Sequence, residues 1–349
     1  MERNHALAPP HNANGEPPTI KSVLVTGASG FIAKHIVKDL LEHGFSVRAS
    51  TRSEKRRTEI DVLFPEAEID HVSLDLTSDE GWAEALAGVD VLMHTASPFP
   101  AEQPDDPNDL IRPAVDGTLR ALNAAQVAGV NRVVLTSSVA AVYKDPNATS
   151  TSNIDESNWT DPDGENVSAY EASKTLAERA AWDFVAEHPE MKLTVVNPGA
   201  VLGPALDMNY GTSLEYVERF LAGTDPMVPN IQLSVVDVRD VARIHVAAID
   251  NEQAIGERYI AAAGMASMPD MAHLLAKEFP EHKISTRTAP DWMVRLMARF
   301  VPMLRLVAQN LGRENTVDGS KASTAFGFEY VSPPEAVLAS ARHLVDNGK

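Results

Sequence analysis

The 349-residue sequence contains no cysteine, so disulfides, thiolate nucleophiles and cysteine-ligated metal sites are excluded from the outset. Positive charge is also scarce: 30 lysines and arginines stand against 49 aspartates and glutamates, a formal net charge of −19. Nucleic acid and anionic membrane are therefore poor partners, because phosphate contacts need a basic face. An anionic cofactor would need a basic pocket of its own. No apolar run reaches the ~18–20 residues that a membrane span requires. The best candidate, Trp292 to Leu311, is interrupted by Arg295, Arg299 and Arg305 and contains Pro302. It reads as one amphipathic helix whose apolar residues, Trp292, Leu296, Phe300, Met303, Leu304, Val307 and Leu311, are expected in the core, with a pliable substrate lid and then a membrane-surface or oligomer contact as the alternatives. The eleven histidines lack ligand spacing on any helix face, so no metal is expected. Residues 1–19 hold Pro9, Pro10, Pro17 and Pro18 and no apolar core like that of a secretory signal, and are expected to be a flexible tail. These features together point to a cytoplasmic protein.

What is present looks ordinary and foldable, with 44% hydrophobic and 23% charged residues. The length suits two lobes around a cleft. From Ser22 onward, short β-branched runs alternate with segments whose apolar residues recur at three and four. The runs are Val23–Val25, Ser46–Ala49, His71–Leu74, Val91–His94, Arg132–Leu135 and Leu193–Val196; the helical segments include Phe31–His43, Trp82–Leu86 and Leu110–Ala128. That alternation predicts an α/β fold, a Rossmann-type doubly wound parallel sheet covered by helices on both faces. After Asn197-Pro198-Gly199 the rhythm breaks, Ala205 to Pro229 reads as irregular, and Leu233–Val238 and Arg258–Ala261 are expected to return to the sheet. The predicted division assigns 20–199 and 231–262 to the dinucleotide-binding domain, and 200–230 and 263–349 to a smaller, mainly helical substrate-binding lobe.

Thr26-Gly27-Ala28-Ser29-Gly30-Phe31-Ile32-Ala33 lies between the first strand and the first helix. Small residues there permit a tight turn and let backbone N–H groups approach a pyrophosphate at the positive end of a helix. Gly27, Gly30, Phe31 and Ile32 are thus candidate cofactor contacts. Where an NAD-selective protein would carry an acid after the second strand, this chain has Arg52, followed by Lys55, Arg56 and Arg57. A guanidinium fork suits a 2′-phosphate, so NADPH is the expected cofactor. Asp75 could accept the adenine amino group and Leu76 cover the ring, although an N-cap would explain Asp75 equally; Thr95, Ala96 and Ser97 offer small residues where the dinucleotide passes, or simply a tight strand exit.

Tyr170-Glu171-Ala172-Ser173-Lys174 opens a strongly helix-forming segment, and spacing of four places Tyr170 and Lys174 on one face. A phenol with a pKa of ~10 gives up a proton near neutrality more easily beside an ammonium, so Lys174 is expected to lower the Tyr170 pKa. Thr136-Ser137-Ser138 ends the fifth strand at the same sheet edge as the glycine turn, where Ser138 could hold a substrate oxygen; Ser137 is the alternative.

These residues, with His94-Thr95-Ala96-Ser97-Pro98, Asn197-Pro198 and Asp237-Val238-Arg239-Asp240-Val241-Ala242, resemble the extended branch of the short-chain dehydrogenase/reductase superfamily. Within it, Asp155-Glu156-Ser157-Asn158-Trp159 and Lys174-Thr175-Leu176-Ala177-Glu178-Arg179-Ala180-Ala181-Trp182 are similar to the dihydroflavonol 4-reductase-like group, which includes cinnamoyl-CoA reductases and fungal ketone and aldehyde reductases. The resemblance implies NADPH, a Ser138-Tyr170-Lys174 triad and hydride delivery to a ketone or aldehyde. Tyr170, Lys174 through the ribose hydroxyls, Pro198 and Val201 extend the expected cofactor contacts, and Tyr143 joins Ser138 and Tyr170 in the expected substrate pocket. The expected partner is a small carbonyl compound, with the chain acting as a monomer or homodimer. A nucleotide-sugar epimerase or dehydratase recycling NAD, and a regulatory NADP-binding protein without turnover, are the competing readings.

Overall fold

The computed structural model describes residues 21–98, 106–149, 151–301, 303–312 and 315–348. The tail expected at 1–19 and Pro302 lie outside the described residues. A seven-stranded sheet forms the centre, built from β1 (Ser22–Thr26), β2 (Ser46–Thr51), β3 (Ile69–Ser73), β4 (Val91–His94), β5 (Arg132–Thr136), β7 (Lys192–Pro198) and β11 (Arg258–Ala261). Their spatial order is β3-β2-β1-β4-β5-β7-β11, and every pairing is parallel. The order reverses between β1 and β4, which opens a crevice at the carboxyl ends of those strands.

Strands buried on both faces read as continuous apolar runs because alternate side chains feed two different cores. Val23 and Val25 of β1 face one core with Ile36, Val37 and Leu40 of α1 (Phe31–Glu42) and Val241 and Ile244 of α7 (Val238–Ala248). Leu24 faces the other, with Leu92, Val133 and Leu193 and the small residues Ala121 and Ala125 of α4 (Asn108–Ala128) and Ala181 of α5 (Ala169–Glu187). Alanines on α4 and α5 let these two helices lie close to the sheet and to each other. Between the strands, α2 (Glu54–Leu63) and α3 (Trp82–Leu86) complete the winding.

The chain leaves this sheet at Gly199, where a Cβ would sit 2.4 Å from the Ser234 carbonyl oxygen. That close approach lets β8 (Ala200–Leu202) pair with β10 (Gln232–Asp237), which also pairs with β12 (Gly264–Ser267). The Leu233–Val238 run therefore joins a separate three-stranded sheet instead of returning to the parallel one, because β11 already occupies the free edge of β7. Two short parallel pairs, β6 (Asn153–Ile154) with β14 (Thr316–Val317) and β9 (Val228–Pro229) with β13 (Thr288–Ala289), tie the later chain back to the earlier.

The segment read as irregular contains α6 (Thr212–Ala222), which buries Leu214, Val217, Phe220 and Leu221 at helical spacing. Beyond β12 the chain is mainly helical, with α8 (Met268–Glu278), α9 (Asp291–Met297), α10 (Met303–Asn310), α11 (Ser320–Phe326) and α12 (Pro333–Asp346). The single helix expected over Trp292–Leu311 is thus two. Val294, Ala298 and Leu311 are buried, whereas Trp292, Leu296 and Phe300, expected in the core, are exposed at 69%, 46% and 79%. The inward positions are taken by the residues between them. Among the described residues no helix is long and apolar enough to cross a membrane.

Candidate active site

β1 ends at Thr26, and Gly27 turns the chain in the left-handed region at φ +63°, a conformation that disfavours any side chain. Its N–H donates to Ser50 Oγ at 3.1 Å, and a Cβ there would come within 3.1 Å of Ala96. The turn and the 95–97 segment are therefore pressed together. Thr26 Oγ1 accepts from the N–H groups of both Thr95 and Ala96 at 3.1 Å, and the Thr95 hydroxyl donates to the Thr26 carbonyl. Gly30 caps α1 with no side-chain bond, and the first turn, which holds Phe31 and Ile32, carries no acid. Uncapped N–H groups at a helix start beside a glycine cradle fit a pyrophosphate. Buried Lys34, one turn further along α1, bonds the Asp207 carboxylate and donates to the Asn209 carbonyl at 2.8 Å, while Asn209 Nδ2 donates to the Ser29 carbonyl at 2.9 Å. The loop before α6 is thereby fastened to the glycine turn.

Arg52 follows β2 directly, is exposed, and makes no hydrogen bond or ion pair among the described residues. Its neighbours are engaged: Arg56 meets Glu59 at 2.8 Å and Arg57 meets Asp61 at 4.0 Å. Of the guanidinium groups in this basic run, that of Arg52 is the one without a hydrogen bond or ion pair among the described residues. Asp75 caps no helix; its Oδ1 accepts from the N–H and hydroxyl of Thr77 at 2.7 and 2.6 Å, forming a side-chain turn. Those bonds, and then the Arg52 charge, hold its carboxyl below the usual range. Leu76 lies over Gly117, where a Cβ would be 3.1 Å from the leucine Cβ.

On the other side of the crevice, α5 starts with a reciprocal capping box between Ser168 and Glu171, which fixes where Tyr170 points. The Tyr170 hydroxyl is hydrogen-bonded to Ser138, and the Lys174 ammonium lies 5.7 Å from the Tyr170 ring centroid. Ser138 Oγ also accepts from the Ala140 N–H at 3.1 Å, so the residue closes a short turn as well as facing the phenol. Ser137 points away, donating to Glu178 Oε2 at 2.6 Å. The structure thus brings Ser138, Tyr170 and Lys174 together and sets Ser137 apart.

The electrostatics differ from the expectation that Lys174 lowers the Tyr170 pKa. Burial pushes the phenol up and Glu171 adds to this, with only the Ser138 hydrogen bond pulling it down. Lys174 itself is pulled down to about 8 by burial, against the attraction of Glu178. A phenolate here would lose more hydration than the Ser138 hydrogen bond returns. The Tyr170 phenol is consequently held in its neutral form, while the Lys174 ammonium is weakened to about 8.

Several site groups carried no individual signal in the sequence. His94 Nδ1 meets Thr26 Oγ1 at 2.8 Å. Because that hydroxyl oxygen already accepts two backbone N–H groups, its own proton goes to the ring, which is then protonated at Nε2. Burial, then Lys174, pulls the ring to about 4, so it is neutral, and its buried Nε2 has no partner among the described residues. Glu178 is buried one turn past Lys174 and accepts from Arg258 Nε at 2.6 Å. Arg258 also donates to the carbonyls of Glu156 and Asn158 at 2.8 and 3.0 Å and stacks 3.7 Å from the Trp159 ring centroid. An arginine in an otherwise apolar strand and an acid at the next turn after Lys174 were the available clues.

Two expected contacts are differently employed. The Tyr143 hydroxyl donates to Glu171 Oε1 at 2.5 Å, which ties it to the base of α5. Val201 pairs with Val236 and its side chain lies in the hydrophobic core; Pro198 is buried at the end of β7.

The model of the NAD dependent epimerase/dehydratase family matches residues 23–262. Cinnamoyl-CoA reductase 1 of Arabidopsis thaliana is 35% identical over 342 residues, covering 95% of this chain and 96% of that protein. A Vitis vinifera anthocyanidin reductase is 32% identical over 283 residues, covering 76% and 83%. The yeast methylglyoxal/isovaleraldehyde reductase Gre2, solved in complex with NADPH, superposes with a TM-score of 0.79 at 28% identity, covering 93% of this chain and 98% of that one. A match across the parallel sheet and its glycine turn, joined to end-to-end similarity with a reductase, settles the lineage: this chain belongs to the NAD dependent epimerase/dehydratase family, within the extended short-chain dehydrogenase/reductases and their dihydroflavonol 4-reductase-like group.

Proposed function

We propose that this protein is an oxidoreductase that uses NADPH to reduce the carbonyl group of a small ketone or aldehyde to an alcohol. The observation that carries the proposal is the hydrogen bond between Tyr170 and Ser138, with Lys174 one turn on, across the crevice from an uncapped helix start and an unpaired Arg52. The backbone of Gly27 and Gly30 and the start of α1 would hold the pyrophosphate, with Phe31 and Ile32 supplying N–H groups; Thr95, Ala96, Ser97 and Pro198 would line the dinucleotide's path. Asp75 Oδ2 and Leu76 would meet the adenine. The bound dinucleotide supplies the hydride. Ser138 orients the substrate carbonyl and stabilises negative charge as it develops on oxygen. Tyr170, kept neutral by burial, delivers its proton to that oxygen as the new C–H bond forms. Lys174 holds a positive charge beside the phenolate left behind.

The test is NADPH oxidation against aryl ketones, aliphatic aldehydes, diketones, dihydroflavonols and acyl-CoA thioesters. At least one class of carbonyl should be consumed with matching NADPH loss. No consumption by any of them, together with NAD retained through purification, would favour the epimerase reading instead.

Two further outcomes are expected. Replacing Arg52 with aspartate removes a charge-assisted bond of ~1.5–3 kcal/mol and adds repulsion, so the KM for NADPH should rise at least ~10-fold while that for NADH changes little. Equal loss with both cofactors would place the 2′-phosphate elsewhere. Because the Lys174 ammonium is lost as pH rises through about 8, kcat/KM for reduction should fall on the alkaline side of that value. A profile flat to pH 9.5 would rule out that role for Lys174.

A further inference from the structure

We infer that Glu178 is a positioning residue for this site: its buried carboxylate is the counter-charge of the Lys174 ammonium and the tie that holds the strand end bearing Ser138 against α5. The inference rests on the reduction proposed above.

Tyr170, Lys174 and Glu178 follow one another at intervals of four along α5, so they form one stripe facing the carboxyl edge of the sheet. The Glu178 side chain is fully buried, and both of its oxygens are engaged. Oε1 accepts from Arg258 Nε at 2.6 Å and Trp182 Nε1 at 3.4 Å; Oε2 accepts from Ser137 Oγ at 2.6 Å and Asn197 Nδ2 at 2.7 Å. Asn197 Nδ2 also donates to the Ser138 carbonyl at 3.1 Å. One carboxylate thereby joins α5 to the ends of β5 and β7 and to the start of β11. The backbone of Ser138 is fixed through Asn197, and Ser137 is turned away from the phenol.

The charges make the same point. The groups that face Lys174 are Tyr170 and Glu178 on its own helix and His94 from β4, which is neutral; Arg258 reaches Glu178 from β11. Glu171 on α5 is satisfied by Lys144 at 2.7 Å. A single carboxylate thus serves two buried cations. Without it, an ammonium this deeply desolvated would shed its proton at a lower pH. Arg258 competes for the same carboxylate and works in the opposite direction.

The experiment is a pH titration of the lysine side-chain nitrogen by NMR on the full chain without cofactor, Lys174 being assigned by the signal lost in Lys174→Arg. The wild-type resonance should titrate at about 8. In Glu178→Gln it should move down by about one to two units, the size of a unit charge a helical turn away at an intermediate dielectric. In Arg258→Gln it should move up. The alkaline limb of kcat/KM should follow in both directions. If Glu178→Gln does not fold, the charge-balanced pair Glu178→Gln with Arg258→Gln should still show a downward shift, because Glu178 lies one turn from Lys174 on the same helix and raises its pKa directly, whereas Arg258 reaches it through that carboxylate. A Lys174 titration unmoved in these variants, even with activity lost, would overturn the inference by reducing Glu178 to a packing role. Absence of carbonyl reduction in the wild type would instead strike the proposed reaction, and leaves the NMR result readable.

Discussion

A Tyr170→Phe variant should lose roughly 10²–10⁴-fold in kcat for carbonyl reduction, the contribution expected of a positioned general acid, while NADPH affinity measured by fluorescence titration stays within about threefold. The substitution removes one oxygen and keeps the ring, so the packing at the start of α5 and the Lys174 contact with the ring face should persist. The contacts proposed for the pyrophosphate and the 2′-phosphate, in the glycine turn and at Arg52, do not involve the phenol. Ser138→Ala should cost less in rate than Tyr170→Phe, because the serine orients and stabilises where the tyrosine transfers the proton. It should also carry a small stability cost, since Ser138 Oγ accepts the Ala140 N–H at the strand exit. A Tyr170→Phe enzyme retaining more than about a tenth of the wild-type rate would remove the proton donor from the mechanism.

The parts of the molecule that could be read from the sequence are those in which one residue type has one physical use. The central parallel strands were legible because burial on both faces leaves mostly apolar residues, as in Val91-Leu92-Met93. The glycine turn was legible because Gly27 needs its positive φ and close approach to Ala96. The Leu233–Val238 strand was recognised as a strand, but its partner was not, since pairing depends on the bend at Gly199 and on β11 having filled the main sheet's edge. The exposed Trp292, Leu296 and Phe300 look the same in sequence as a buried stripe, because periodicity gives the faces of a helix without saying which one turns inward. At the site, the Tyr170 and Lys174 spacing means little alone and gains its weight from Thr136-Ser137-Ser138 at the end of the fifth strand and the glycine turn before it. Glu178 acts through partners 80 and 41 residues away, Arg258 through Glu178 at 80 and His94 through Thr26 at 68, and such distances leave little local pattern.

A large stability effect outside the apolar cores should come from Glu171→Ala, at about 3–5 kcal/mol by chemical denaturation, the range expected when one partner of a buried ion pair is removed. Glu171 and Lys144 have side-chain exposures of only 4% and 3% and meet at 2.7 Å. The same carboxylate accepts from the Tyr143 hydroxyl at 2.5 Å and from the Ser168 N–H at 2.6 Å, which is half of the capping box that starts α5. Alanine would therefore leave a buried ammonium without its counter-charge, although still bonded to the Asn166 carbonyl, remove the Glu171 bond of the Tyr143 hydroxyl and free the helix start that sets the direction of Tyr170. The penalty belongs mainly to the stranded charge, so it should be recoverable. Combining Glu171→Gln with Lys144→Met removes both charges, keeps an amide oxygen for the Ser168 N–H and fills the lysine's volume, and should restore all but about 1–2 kcal/mol. If Glu171→Ala costs less than about 1 kcal/mol, or the double variant is no better than the single one, the pair is not what anchors the base of α5.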